Sequence, residues 1–483
     1  MDAHCNRTKL TFHPHNRREV AFDFDGGAIT SDAGALLLRE VEQRLGILAR
    51  FAECFEDHRD QRFVEHSLCH LICQRVMGIC LGYEDVNDHD ELRSDPLLAL
   101  CAGKGDIEGK SRRRPADRGM ALAGKSTLNR IELACPDTAA EDRYKKISLR
   151  DEAAADFFVE RFLEAHQRAP GRIVLDLDAT DDPLHGEQEG RFFHGYYKCY
   201  CYLPLYIFSG RHLLCAKLRG SDVDGAAGAV EELERIVGLI RQAWPEVEIV
   251  VRGDSGFCRE ALIAWCEQSQ GVHYVLGLAR NSRLIEMIAD ELEEARAGYE
   301  ATGAAHRVFK DMQYRTLKSW SRSRRVAAKA EHLAKGANPR FVVTSLPASE
   351  YDARALYEDV YCARGEMENR IKEQQLCLFA DRTSAATMRA NQIRLWLSSA
   401  AYVLMEALRR VGLTGSRMAD SQCDTIRLKL LKIGARVKVS LRRVWVSAAE
   451  GCAHKEAFGR AHENLRRLRP WHERPPPAAP MRC

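Results

Sequence analysis

The chain contains no run approaching the ~18 uncharged apolar residues that a membrane helix needs, and its opening residues, MDAHCNRTKLTF, have no apolar stretch. Neither membrane insertion nor secretion is expected. Its 17 cysteines include no CxxC pair, and Cys69, Cys73 and Cys80 sit in apolar runs, so reduced core thiols in a cytoplasm are expected rather than a disulfide framework. No internal repeat is present. With 33 Gly and 15 Pro among 483 residues, collagen-like and low-complexity readings are excluded. What is there is globular: 45% apolar and 29% charged residues, in a length that suits two or three domains.

The net charge is only +3, but it is unevenly spread. Between Ala401 and Cys483 there are 17 Lys and Arg against 7 Asp and Glu, and between Ala304 and Arg340 there are 10 against 2. The remainder is therefore acidic. Separated basic segments suit a polyanion partner, and the acidic remainder has carboxylates to spare for a cation.

Residues up to about 165 read as mostly helical after a short extended start. Ser31 and Asp32 offer caps for AGALLLREVEQRLGIL, and HSLCHLICQRVMGICLGY carries helical spacing. GKGDIEGKSRRRPADRG, near 103–119, reads as an exposed basic loop. From Ile173 the pattern turns to strands: RIVLDLDA, YYKCYCYLPLYIF and RHLLCAKLR, the last two joined at Ser209-Gly210. Helices GAAGAVEELERIVGLIRQAW and CREALIAWCEQ then alternate with strands EVEIVVRGD and HYVLGLA. That order predicts a mixed sheet flanked by helices. A β-rich insertion follows, then a helix from about Asp352 to Gln375, a long apolar helix, and a basic tail of helix and strands that ends in RPPPAAPMRC.

Two clusters look like sites and carry little. The spacing of His66, Cys69, His70 and Cys73 puts several of them on one helical face, and core packing accounts for them more cheaply than zinc does. Gly119 to Ser126 spells GxxxxGKS in full, but RRRPADR before it cannot be the buried strand that a phosphate loop requires. His185 and His194 are read as ordering a hairpin rather than as bases or ligands.

The acids are more specific. In IVLDLDATDD, alternation places Asp176 and Asp178 on one face of an apolar strand, and in VVRGDSGF a second strand ends at Asp254. Carboxylates on apolar strands are costly unless a cation or donors meet them, and Mg²⁺ favours such oxygens. Tyr361, Arg364, Glu368 and Lys372 then fall at spacings of 3, 4 and 4, one stripe of a helix, which is equally the pattern of a salt-bridged surface helix.

The order Asp178, Asp254, Glu368 resembles a DDE transposase, and Tyr361-x2-Arg364-x3-Glu368 matches the signature of the insertion-sequence 4 superfamily. LDLDATDDPLHGEQEGRFFHGYY, VRGDSGFCRE, KAEHLAKGANPRFVVTSLP and YCARGEMENRIKEQ resemble, more narrowly, the insertion-sequence 1380 family, from the N-terminal region to RRVWV. The signature usually continues to a Lys seven residues after the Glu; this chain has Gln375 there, with Lys372 one turn after Glu368 as its substitute. The family's Asp followed by a small residue and Thr selects Asp178, which precedes Ala179 and Thr180, over Asp176.

The resemblance implies an α/β fold with a ribonuclease-H-like mixed-sheet core over 166–412, a β-rich insertion at about 300–347, a helical DNA-binding region over 1–165, and a basic region with a disordered tail over 413–483. It also implies Asp178, Asp254 and Glu368 as catalytic ligands of two Mg²⁺ ions, with Mn²⁺ able to substitute. Tyr361, Arg364 and Lys372 would contact DNA phosphates. Trp320 would stack on a flipped base beside Arg322, Arg324 and Arg325. The partners implied are double-stranded DNA, as terminal inverted repeats and target, and a second copy of the chain, in a bacterial cytoplasm at the nucleoid. The rivals are an inactive DNA-binding relic of this fold, a structure-selective nuclease, and a nucleotide hydrolase using Lys125.

Overall fold

The computed structural model describes residues 9–136 and 146–473, so the tail RPPPAAPMRC lies outside the described residues. The chain forms two compact units that are not consecutive in sequence. One comprises Met1–Ala52, Arg59–Ile131 and Ala407–Glu473; the other holds Glu53–His58 and Glu132–Glu406.

The first unit is mainly helical. Leu68–Cys80 is a helix, as its apolar spacing predicts, and the Ser67 hydroxyl caps it by accepting the His70 N–H at 3.3 Å. Ser31 and Asp32 do not cap the next helix upstream: Ala35–Leu45 starts at Gly34 without a side-chain cap. Asp32 instead lies buried, accepts the Tyr83 hydroxyl at 2.7 Å and pairs with Lys432 at 2.7 Å. A buried carboxylate is stable only with such partners, and here they are drawn from both ends of the chain. Ile29–Thr30 likewise pairs with Ala435–Val439, whose other edge holds Val444–Ala448. A Cβ on Gly34 would lie 1.8 Å from the Leu430 carbonyl oxygen, so only glycine permits that approach. The sequence reading missed the tail helix Lys455–Arg466.

The second unit is built on a nine-stranded mixed sheet. Its strands are β1 (Arg172–Ala179), β4 (Leu205–Ser209), β5 (His212–Lys217), β6 (Glu248–Gly253), β7 (Val272–Leu278), β8 (His306–Tyr314), β9 (Arg324–Leu333) and β10 (Arg340–Thr344), plus the short Gly336–Ala337 on β9. Between β1 and β4 lies a separate hairpin, β2 (Phe192–His194) with β3 (Cys199–Tyr202). The order across the sheet is β5-β4-β1-β6-β7-β10-β9-β8. β6 runs parallel to both β1 and β7, whereas β4 and β5 are antiparallel, their tight connection falling at Ser209-Gly210 as expected.

Period-two burial explains the core. Ile173, Leu175 and Leu177 of β1 and Ile249 and Val251 of β6 pack with Leu233, Ile236 and Ile240 of helix α1 (Ala229–Ala243) and with Leu262 and Ile263 of α2 (Glu260–Gln268). Each such side chain contributes about 1.5–3 kcal/mol by leaving water. The segment read as an insertion is joined edge to edge with this sheet, because β10 pairs with β7 and β9 pairs with β10.

Candidate active site

β1 and β6 deliver the first two acids. The parallel ladder sets Arg252 beside Asp176 and Gly253 beside Leu177, so the next step brings Asp178 and Asp254 to the carboxyl ends of neighbouring strands. In open α/β sheets this is where ligands bind. The Asp254 carboxylate accepts the Gly256 N–H at 2.8 Å, which closes the turn Ser255–Phe257 and holds the acid at its strand end.

Glu368 arrives on a segment that is not one regular helix. Ala353–Ala355 is α-helical, Leu356–Tyr361 winds as a π-helix, Cys362–Arg364 tightens to a 3-10 turn, and α3 (Gly365–Leu378) follows. The sequence stripe of Tyr361, Arg364, Glu368 and Lys372 therefore crosses two changes of winding, which are frequent at functional sites. A Cβ at Gly277 of β7 would lie 2.6 Å from the Tyr361 hydroxyl and 2.9 Å from the Ser255 nitrogen, so the glycine makes room for the tyrosine next to Asp254.

Arg364 links the acids. Its Nη2 donates to Glu368 Oε1 at 2.7 Å, and its Nη1 stands 3.6 Å from Asp178 Oδ2. Burial pushes the Asp178 carboxyl up to about 7; Arg364 opposes the rise, and the carboxylates of Asp254 and Glu368 add to it. Burial also raises the Tyr361 phenol, against the pull of Arg364 and with a further push from Asp254. Lys372 is exposed one turn beyond Glu368.

The donor chemistry fits a hard cation: oxygen only, three carboxylates, one buried and raised partly by the charge of the other two. Among the described residues no group of three or more His, Cys, Asp or Glu is gathered closely enough to hold a metal ion, and Glu368 is turned to Arg364. The guanidinium thus occupies the position of positive charge between Asp178 and Glu368.

Asp176, the alternative on the same face, is committed elsewhere. It is 4% exposed, and Arg252 grips it in a fork, Nε to Oδ1 at 2.5 Å and Nη2 to Oδ2 at 2.8 Å, while also donating to the Val360 carbonyl. Gln375, where the signature has Lys, donates to Asp182 Oδ1 at 2.9 Å and to the Asp181 carbonyl at 3.3 Å. Asp182 is fully buried and pushed up to about 8 by that burial, against Gln375. Sequence reasoning missed this acid, whose only signal is its place in the run TDDP.

The expected base-stacking group is not assembled. Trp320 is 4% exposed and packs edge-on against Tyr314, with ring centroids 5.8 Å apart, so it has no free face. Arg324 is buried against Glu260 and Glu267, Arg325 pairs with Asp311 and two backbone carbonyls, and the exposed Arg322 pairs with Glu267 at 2.9 Å. The basic run is neutralised by acids 14 to 64 residues away, which local spacing cannot reveal.

The two decoys behave as core and cap. The His66 ring sits against Lys104 and Arg112, and burial, then those cations, depress it to about 3; His70 Nε2 meets the Gly103 carbonyl at 3.1 Å. Lys125 opens the helix Lys125–Glu132 with no strand before it, and its N–H donates to the Asp90 carboxylate at 2.9 Å, where a phosphate would have to sit. His185 is exposed, and His194 closes β2 with its ring 4.9 Å from that of Tyr197.

Residues 12–470 match the family described as transposase DDE domain group 1, and the chain belongs to that family. No curated protein matches it. Among solved structures it is similar to the piggyBac transposase in a cryo-EM synaptic complex with hairpin DNA, at 11% identity over 82% of this chain and 80% of that one, with a TM-score of 0.38. Among the described residues no helix is long and apolar enough to cross a membrane.

Proposed function

We propose that this member of the family is a metal-dependent DNA transposase of the insertion-sequence 1380 type, acting in a bacterial cytoplasm on the terminal inverted repeats of its own element. The observation that carries the reading is that Asp178 and Asp254 stand at neighbouring strand ends and Arg364 bridges Asp178 and Glu368, within a chain that matches the DDE family over residues 12–470. The strand order β5-β4-β1-β6-β7, with β4 alone antiparallel to the rest, supports a ribonuclease-H-like core.

Asp178, Asp254 and Glu368 would hold the divalent ions, Mg²⁺ with Mn²⁺ as substitute. Bound there, such ions supply activation of a water or DNA 3′-OH and stabilisation of the leaving oxygen during in-line displacement at phosphorus. The protein's own groups prepare that end of the sheet. Arg364 lowers the cost of gathering carboxylates and would move to a DNA phosphate once they are otherwise neutralised. Lys372, exposed and one turn away, would neutralise a neighbouring phosphate. Tyr361, whose hydroxyl lies over Gly277 of β7, would contact a phosphate near the scissile bond. Joining both ends of an element to a target would use two copies of the chain on paired ends.

An inactive relic is the weaker reading, since none of the three acids is replaced in the sequence, and a nucleotide hydrolase is disfavoured by Asp90 at the Lys125 helix. The test is binding and cleavage of labelled DNA carrying the sequences that flank the gene, with Mg²⁺ or EDTA. Metal-dependent 3′-end release at an inverted repeat, lost in Asp254→Ala, is the expected result. Binding without cleavage would indicate a relic, and cleavage of any branched DNA regardless of sequence would indicate a nuclease.

A further inference from the structure

Trp320 is packed away, but another aromatic group stands open beside the acids. The β2–β3 hairpin exposes Phe193 (50%), Tyr200 (43%) and, in its turn, Tyr196 (83%). Phe193 and Tyr200 are directly opposite in the ladder, so they share a face, with ring centroids 5.5 Å apart. Cations are interleaved with them. The Arg191 guanidinium lies 4.2 Å from the Tyr200 ring centroid while it donates to the Gly186 carbonyl at 2.8 Å and pairs with the exposed Glu187, and Lys198 is exposed in the turn. The hairpin is tied to the acids, because the Tyr197 hydroxyl donates to the carbonyl of Ala179, the residue after Asp178, at 3.4 Å. The Tyr197 phenol, raised chiefly by burial, also feels the carboxylates of Asp181 and Asp178.

Exposed rings grouped in this way are costly in water and mark a surface that something covers. We propose that Phe193 and Tyr200 form a stacking platform for unpaired DNA bases next to the Asp178–Asp254 strand ends, with Arg191 and Lys198 meeting the adjoining phosphates. Alternating rings and cations suit single-stranded nucleic acid, whose bases offer π-faces and whose backbone offers charge at the same spacing. A second copy of the chain fits less well: a two-fold contact through this face would set Arg191 and Lys198 against their own copies. The inference rests on the reading of the neighbouring acids as a DNA-processing site and adds the state of the DNA held there, locally unpaired.

The test uses the full chain and a single-stranded oligonucleotide carrying the fluorescent base 2-aminopurine, with a fully paired duplex of the same length alongside. The doubly substituted Phe193→Ala/Tyr200→Ala protein should bind the single strand about tenfold more weakly and lose the quenching of 2-aminopurine, while duplex affinity changes by less than about twofold. The ring-retaining Phe193→Tyr/Tyr200→Phe protein should restore both, and unfolding curves should confirm that each variant is folded. Unchanged single-strand binding in the alanine variant would overturn the proposal, as would an equal loss on duplex, which would assign the face to phosphate contact alone. A change of oligomeric state with single-strand affinity intact would overturn it in favour of a self-interface. If the wild type cleaves duplex ends and only the platform result fails, the functional reading stands. If the wild type neither binds nor cuts DNA, that reading fails first.

Discussion

One strand carries two aspartates two residues apart whose neighbours could hardly differ more. Asp176 faces Arg252 across the β1–β6 ladder, is almost fully buried, and has both oxygens satisfied by one guanidinium. Asp178 comes up beside Asp254, shares Arg364 with Glu368, and carries a carboxyl raised by burial and by its own kind. Their shared face does not distinguish them; what stands on the adjacent strand does. A carboxylate opposite an arginine is complete and holds the sheet together. A carboxylate opposite a carboxylate is an incomplete arrangement that a cation completes.

The largest effect that could break this comparison is on chemistry. Asp178→Asn should lower DNA cleavage about a thousandfold or more, the rate equivalent of several kcal/mol, in a protein whose circular dichroism is unchanged. Asp176→Ala should act through stability instead. Leaving Arg252 buried without its partner costs about 3–5 kcal/mol, visible as a lower urea midpoint. If both variants lost the same stability and the same activity, the two sites would not differ in kind.

pH sharpens the contrast. Because the folded Asp178 carboxyl titrates near 7 rather than at the ordinary 3.8, the native state keeps a proton that the unfolded chain has released between those values. Stability from this group is thus full below about pH 4, falls as pH rises through the window, and levels off above about 7. In metal-free buffer Asp178→Asn should flatten that slope in a pH series of unfolding curves and be the more stable protein at pH 8. Saturating Mg²⁺, at about 100 times its dissociation constant, should add about 2.7 kcal/mol to the wild type and little to this variant. At the small end of the scale is an exposed pair, Lys125 with Asp90 at 3.5 Å. Lys125→Ala should change stability by less than about 0.5 kcal/mol and leave nucleotide binding absent in a filter assay.

Much of the second unit was legible in advance, because its strands and helices announce themselves by period and its acids by interrupting apolar runs. Asp254 is read correctly as a strand-end residue from VVRGDSGF alone. What was not legible depends on partners distant in sequence. The fate of Asp176 is decided by Arg252, and that of Trp320 by Glu260 and Glu267, which disarm the arginines around it. The pairing of Ile29–Thr30 with Ala435–Val439 joins segments some 400 residues apart and leaves no local trace. The tail helix Lys455–Arg466 buries only Ala461 and Leu465, too thin a stripe to stand out from its charged background. YYKCYCYLPLYIF reads as one strand, but Leu203 and Pro204 divide it, which is how Tyr200 comes to lie on a hairpin outside the main sheet.

The most direct test of the central claim is Mg²⁺-dependent cleavage of DNA carrying the element's flanking ends, by wild type, Asp178→Asn and Asp176→Asn side by side. The account predicts cleavage by the wild type that EDTA abolishes, none by folded Asp178→Asn, and activity in whatever fraction of Asp176→Asn remains folded. Undiminished cleavage by Asp178→Asn would contradict it.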